Sequence, residues 1–146
     1  MTKTSKILVP VDFSEPSKAA LAWAFDYASC RPSELHVLHV VERHLQLSDL
    51  SADFDELKSE LEAIKAQAEK QLGTLADEKK TSVGPILQHV ATGKPAAEIV
   101  KVAGDVRADV IVMGTHGLKG VERMIIGSVA EQVVRKAKCA VVTVKA

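Results

Sequence analysis

Aromatic side chains are scarce in this chain: they make up 3% of its 146 residues, with one Trp, one Tyr and three Phe. A core of stacked rings is therefore excluded, and any core must be aliphatic. Net charge is missing too, because 19 basic residues balance 19 acidic ones. Nucleic-acid binding by bulk electrostatics is not expected of such a chain. No apolar run approaches the ~20 residues of a membrane-spanning helix. The opening residues, MTKTSKILVPVDF, lack the long apolar stretch and small-residue cleavage site of a secretory signal. A cytoplasmic protein without membrane partners is the expectation. Cysteine is limited to Cys30 and Cys139, which form no CxxC pair and are expected to be reduced thiols, buried or half-buried. The five histidines (His36, His39, His44, His89, His116) show no metal-ligand spacing and HExxH is absent, so no metal site is expected.

What the chain has is aliphatic material in a regular alternation. Hydrophobic residues make up 47%, enough for one domain spanning residues 1–146. Apolar runs at 6–11, 34–42, 85–91, 108–114 and 139–145 read as buried strands. Between them lie helical patterns. Residues 15–29 follow Ser14, a suitable cap, with Pro16 in the first turn. In 47–80, Leu50, Phe54, Leu57, Leu61, Ile64, Ala68 and Leu75 keep one apolar stripe, with acids early, lysines late, and Gly73 as a local weakness. The stretch 93–106 starts a helix near Pro95, and 128–138 forms the last one.

Strands separated by helices require right-handed crossovers, which build a parallel sheet covered on both faces. The expected fold is a doubly wound α/β domain, Rossmann-like, with five strands in the order 3-2-1-4-5. Ligands of such sheets sit beyond the carboxyl ends of the strands where the winding reverses. That point lies between the end of strand 1, at Val11 and Asp12, and the end of strand 4, at Met113 and Gly114.

A glycine-rich segment, MGTHGLKGVERMIIGSVAEQ, opens at that point. Its spacing is Gly114-x-x-Gly117, nine residues, then Gly127-Ser128. Glycine lets backbone N–H groups approach an anion closely, and a helix start offers unpaired N–H groups and partial positive charge. A phosphate chain fits between the turn at 114–117 and the helix start at 127–129. The competing reading is a long turn whose glycines answer only to sterics. Ser128 and Glu131 also match a capping box, so Ser128 caps the helix, meets phosphate, or does both. Asp12 is placed to accept from ribose hydroxyls or to share the capping of the first helix with Ser14. His116 lies in the loop as a ligand contact or a solvent-facing residue. Lys119 and Arg123 either neutralise phosphate or are merely solvated. Neither GxxxxGK[ST] nor GxGxxG occurs.

KILVPVDFSEPSKAAL, LHVV and VIVMGTHGLKGVERMIIGSVAEQVVRKAKCAVVTV resemble the universal stress protein family, and the resemblance covers essentially the whole chain in element order. It implies ATP, possibly with Mg2+, across the carboxyl edge of the sheet. By matching position, Asp12 would contact the ribose and Val40 the adenine through its backbone, while Gly114, Gly117, Gly127, Ser128 and Val129 would line the phosphates. Met113 and His116 complete the expected set of nucleotide contacts. The chain resembles the branch that carries the glycine pattern. The resemblance also implies a cytoplasmic homodimer, formed through the C-terminal strand Ala140–Val144, and a role in stress response. Two readings of function follow: a nucleotide-dependent signalling or binding module, or a slow ATPase or phosphotransferase at the same site. Phosphoryl transfer needs a positioned metal and a group that orients the nucleophile. No general base is evident, so no catalytic residue is assigned and binding is favoured. An adenylating or dinucleotide enzyme is disfavoured because SGGxDS and HxGH are missing.

Overall fold

The computed structural model describes residues 3–42, 54–78, 84, 86–115 and 126–145. Its elements run β1 (Ser5–Pro10), α1 (Glu15–Ser29), β2 (Ser33–Glu42), α2 (Phe54–Glu78), β3 (Ile86–Gly93), α3 (Pro95–Val106), β4 (Val110–Gly114), α4 (Ser128–Lys136) and β5 (Ala140–Val144). The five strands form one sheet in the order β3-β2-β1-β4-β5, and every pairing is parallel. The expected doubly wound α/β architecture and its strand order are both present.

Alternation along the strands divides the core in two. Ile7, Val9, Val37 and Val112 point to one face and pack with Leu21, Phe25 and Leu72 from α1 and α2. Leu8, Leu38, Ile111 and Met113 point to the other face and pack with Ile99, Ala103, Ala130 and Val133 from α3 and α4. The core is aliphatic, as the shortage of aromatics requires; among the described residues Phe25 is the one buried Phe, Tyr or Trp. Among the described residues no helix is long and apolar enough to cross a membrane.

Several local expectations shift. β3 continues past Ala91 to Gly93, because its ladder with β2 runs on to Glu42. α4 ends at Lys136, since Ala137 turns to extended backbone (φ −65, ψ 143). α2 runs through Gly73 without a break. Among its described side chains the buried ones are Ala68, Leu72 and Ala76, one turn apart, whereas Ile64 is 43% exposed, and the side chains of Phe54 and Leu57 lie outside the description. Leu72 and Ala76 were not in the expected stripe. The described end of α2 carries Asp77 and Glu78 and no base in its last turn, so the expected charge gradient does not reach that end; Leu50, Lys79 and Lys80 lie outside the described residues. Cys30 is exposed, not buried, because it caps the solvent end of α1, while Cys139 is half-buried. Burial pushes the Cys139 thiol above its usual range.

Candidate functional site at the switch point

β1 pairs with β2 from Ser5 to Pro10 but with β4 only at Ile7 and Leu8. Above Leu8 the two central strands part, so a gap opens between their carboxyl ends. This is where the winding reverses, and ligands of doubly wound sheets bind at such a point.

One side of the gap is the turn from β1 into α1. Val11 holds to β2 through its N–H, which donates to the Leu38 carbonyl at 2.7 Å. Backbone groups alternate along a strand, so the N–H and C=O of Val40 face the same side as those of Leu38. They lie beyond the last residue of β1 paired to β2, and therefore toward the gap. Asp12 follows, half-buried. Its Oδ1 accepts from the Ser14 N–H at 3.1 Å and from the Ser14 hydroxyl. Ser14 caps α1 by accepting from the Ser17 N–H. The two expected roles of Asp12 thus separate: the cap is Ser14, and Asp12 orients it.

The other side is formed by β4 and α4. Met113 points into the core under α3 and α4 and is 5% exposed, so its side chain supports the gap from below. Gly114 has a steric reason of its own. A Cβ there would stand 2.8 Å from the backbone carbon, carbonyl oxygen and Cβ of Pro16. Its missing side chain admits the first turn of α1 against β4.

Thr115 is anchored by its N–H to the Val144 carbonyl at 3.1 Å, and its own carbonyl accepts from the Gly127 N–H at 2.5 Å. This bond is a tied neck between the end of β4 and the N-cap of α4. That tie brings Gly114 and Gly127 together and puts the start of α4 beside the end of β4. Gly127 is the N-cap (φ −70, ψ 161) and no side chain caps the helix. Ser128 is therefore the first helical residue and not the cap; the capping-box reading fails because the cap position falls one residue earlier. The Ser128 residue is exposed. The first intrahelical bond runs from the Glu131 N–H to the Gly127 carbonyl at 3.0 Å, so the N–H groups of Ser128, Val129 and Ala130 point out of the helix start. The Gly127 N–H is spent on the neck, so Ser128, Val129 and Ala130 carry the outward N–H groups of the α4 start. His116, Gly117, Lys119 and Arg123 lie outside the described residues.

The comparisons fit this geometry. The model of the universal stress protein family matches residues 3–145. The chain belongs to the universal stress protein family. It is 30% identical to a universal stress protein of Methanocaldococcus jannaschii, over 96% of this chain and 94% of that protein. The solved structure of that archaeal protein superposes with a TM-score of 0.84 at 29% identity, covering 99% of this chain and 98% of the other. The universal stress protein UspA of Lactobacillus plantarum gives 0.83 at 28% identity and 99% coverage of both chains. A family member solved in complex with cAMP gives 0.63 at 25% identity, over 98% of each chain.

Sequence reasoning missed two features. One is the Thr115–Gly127 neck, which the loop sequence does not betray. The other is His39, whose Nδ1 lies 2.8 Å from the Val11 carbonyl; the signal was its place directly before Val40 in LHVV.

Proposed function

We propose that this chain is a cytoplasmic stress-response module that binds an adenine nucleotide, ATP, in the gap between β1 and β4. The observation that carries the reading is the tied neck. It sets three outward N–H groups of the α4 start beside the end of β4, across the gap from Asp12 and the backbone of Val40. The phosphates take the α4 start, where unpaired N–H groups and the helix dipole favour an anion. The Ser128 hydroxyl adds a donor. Asp12 accepts from the ribose, and the Val40 backbone offers a donor and an acceptor to the adenine edge. A relative solved with cAMP supports the choice of an adenine nucleotide. Among the described residues no three His, Cys, Asp or Glu side chains group to hold a metal, so Mg2+, if it comes, is carried in by the phosphates.

Gly127→Val is the decisive variant. Gly127 has an extended backbone that any residue adopts (φ −70, ψ 161), so the change fills space at the phosphate end without straining the chain. The expected result is a small drop in melting temperature, because Val is a poorer N-cap than Gly, and a loss of ATP affinity of about tenfold or more, ~1.4 kcal/mol or more. Calorimetry showing the same affinity in the variant and the parent protein overturns the reading.

A further inference from the structure

We infer that His39 is a positioning residue that holds Asp12 in place for the ribose. The inference rests on the proposed nucleotide site and adds a residue to it.

His39 grips the β1–α1 turn on both sides of Asp12. Before it, the Val11 carbonyl accepts from His39 Nδ1 at 2.8 Å. After it, the Phe13 ring lies against the imidazole, with centroids 4.7 Å apart and planes tilted by 39°. Phe13 needs such a hold. Its φ is 65, in the left-handed region that disfavours a residue with a Cβ. Strained residues of this kind persist only where their surroundings over-determine them.

α1 constrains the turn as well. The Asp12 N–H donates to the Ser17 hydroxyl at 3.3 Å, and the Ser17 hydroxyl donates to the Ser14 carbonyl at 3.0 Å. These bonds and the Ser14 contacts orient the carboxylate relative to the helix. They do not set its distance from β2. β2 sets that distance, through the Val11 N–H on the Leu38 carbonyl and through His39, whose side chain also reaches Phe13 beyond Asp12. The next residue, Val40, presents the backbone assigned to the adenine. One strand end thereby fixes the spacing between the ribose carboxylate and the base-binding backbone. The donation to Val11 requires the hydrogen on Nδ1, and it survives in both the neutral Nδ1–H ring and the imidazolium.

Three variants separate the two grips. His39→Ala removes both, His39→Phe keeps a ring without a donor, and His39→Asn restores a donor near the Nδ1 position without the ring. The first measurement is amide hydrogen exchange on the unliganded protein. In His39→Ala the Asp12, Phe13 and Ser14 amides are expected to exchange about tenfold or more faster, with the interior of α1 unchanged. The Asn variant recovers part of the protection. The second is calorimetry with ATP and with 2′,3′-dideoxy-ATP. His39→Ala is expected to weaken ATP by about tenfold or more and the dideoxy nucleotide far less, and to add nothing in an Asp12→Ala background. Unchanged exchange at the turn overturns the proposal whatever the protein binds. Equal losses for the two nucleotides overturn it too, since they mark a general structural role. A parent protein that binds no ATP overturns the nucleotide reading itself, and the ribose role of His39 with it.

Discussion

Gly114 and His89 show how a single side chain, absent or present, sets a measurable property. At Gly114 the first turn of α1 occupies the place of a Cβ: Pro16 backbone and ring atoms stand 2.8 Å from it. Backbone atoms cannot swing away as a side-chain tip can, so Gly114→Ala forces α1 and β4 apart. Overpacking of this kind costs about 1–3 kcal/mol. The expected outcome is a melting temperature lower by roughly 3–10 °C without any ligand, read by calorimetric scanning. His89 closes a chain of contacts in which Glu34 Oε1 lies 2.6 Å from His36 Nε2, and His36 Nδ1 lies 2.8 Å from His89 Nε2. With Glu34 ionised, His36 Nε2 carries a hydrogen. His36 Nδ1 then accepts from the His89 Nε2–H. Burial, and then the neighbouring His36, hold His89 below its ordinary value of 6.5. The folded state thus favours neutral His89. Its contribution is complete above about pH 6.5 and is lost as the pH falls through the lowered folded value. Asp109 acts at more acid pH. The Lys6 N–H and the Lys3 ammonium hold it below 3.8, so its share is present above 3.8 and disappears as the pH drops through its own lowered value. His89→Gln keeps a donor for His36 and removes the titration. Urea unfolding from pH 7.5 to 4.5 should show a steeper loss of stability in the parent than in the Gln variant. Identical slopes would contradict the preference of the folded state for neutral His89.

At the scale of elements, much was legible because buried parallel strands are written as apolar runs and helices as punctuated stripes. Pro16 after Ser14 and Pro95 after Lys94 mark the first turns of α1 and α3, and both helices begin there. The parallel sheet followed from the crossovers, and its order from giving strand 1 neighbours in both directions, which local pattern alone does not encode. Boundaries were less legible. β3 was expected to stop at Ala91, but its end is decided by β2, 51 residues away at the Glu42–Gly93 pair. Of the candidate site, the end of β4 and the start of α4 were readable from strand ends and glycine spacing, and the hydrogen bonds across the chain, such as Gly127 to Thr115 or His39 to Val11, were not. Gly73 is a case in which local propensity misled. The helix passes through it because Ala68, Leu72 and Ala76 are buried on the same side, and tertiary packing outweighs the ~1 kcal/mol that glycine forfeits in a helix. A Cβ at Gly73 would meet only the Gln88 Oε1, at 3.9 Å. Gly73→Ala is therefore expected to stabilise the protein by about 0.4–1 kcal/mol, through reduced freedom of the unfolded chain. Denaturant titration checks this, and a destabilised variant would show that the helix needs glycine there.

For the whole molecule the open question is the edge at β5. The strand order leaves β5 outermost beside β4, and Ala140–Val144 is apolar apart from Thr143. Val141 to Val144 are half-buried, and Lys145 alone is charged next to them. An edge of this length and polarity invites another strand. A two-fold axis beside it would pair β5 antiparallel with its own copy. The neighbouring flank of α1 adds surface of the right kind. Pro16, which covers Gly114 of β4, lies on one helical stripe with Trp23 and Tyr27 at seven and eleven residues further, so those rings flank the β4–β5 side. Trp23 is 39% exposed and stacks on Tyr27 with centroids 5.4 Å apart, and the Arg31 guanidinium lies 4.5 Å above the Tyr27 ring. Trp, Tyr and Arg are the residues on which interfaces most often concentrate their binding energy. We therefore expect a homodimer through β5. Light scattering across a hundredfold dilution in the micromolar range should report twice the monomer mass at the upper end. Thr143→Glu would set two like charges near the axis and weaken the dimer by about tenfold or more. Trp23, the one tryptophan of the chain, supplies an internal probe: its emission should move to the red as dimer dissociates and its ring meets water. A single monomer mass at every concentration, with constant emission, would leave Lys145 as sufficient protection for an edge that stays unpaired.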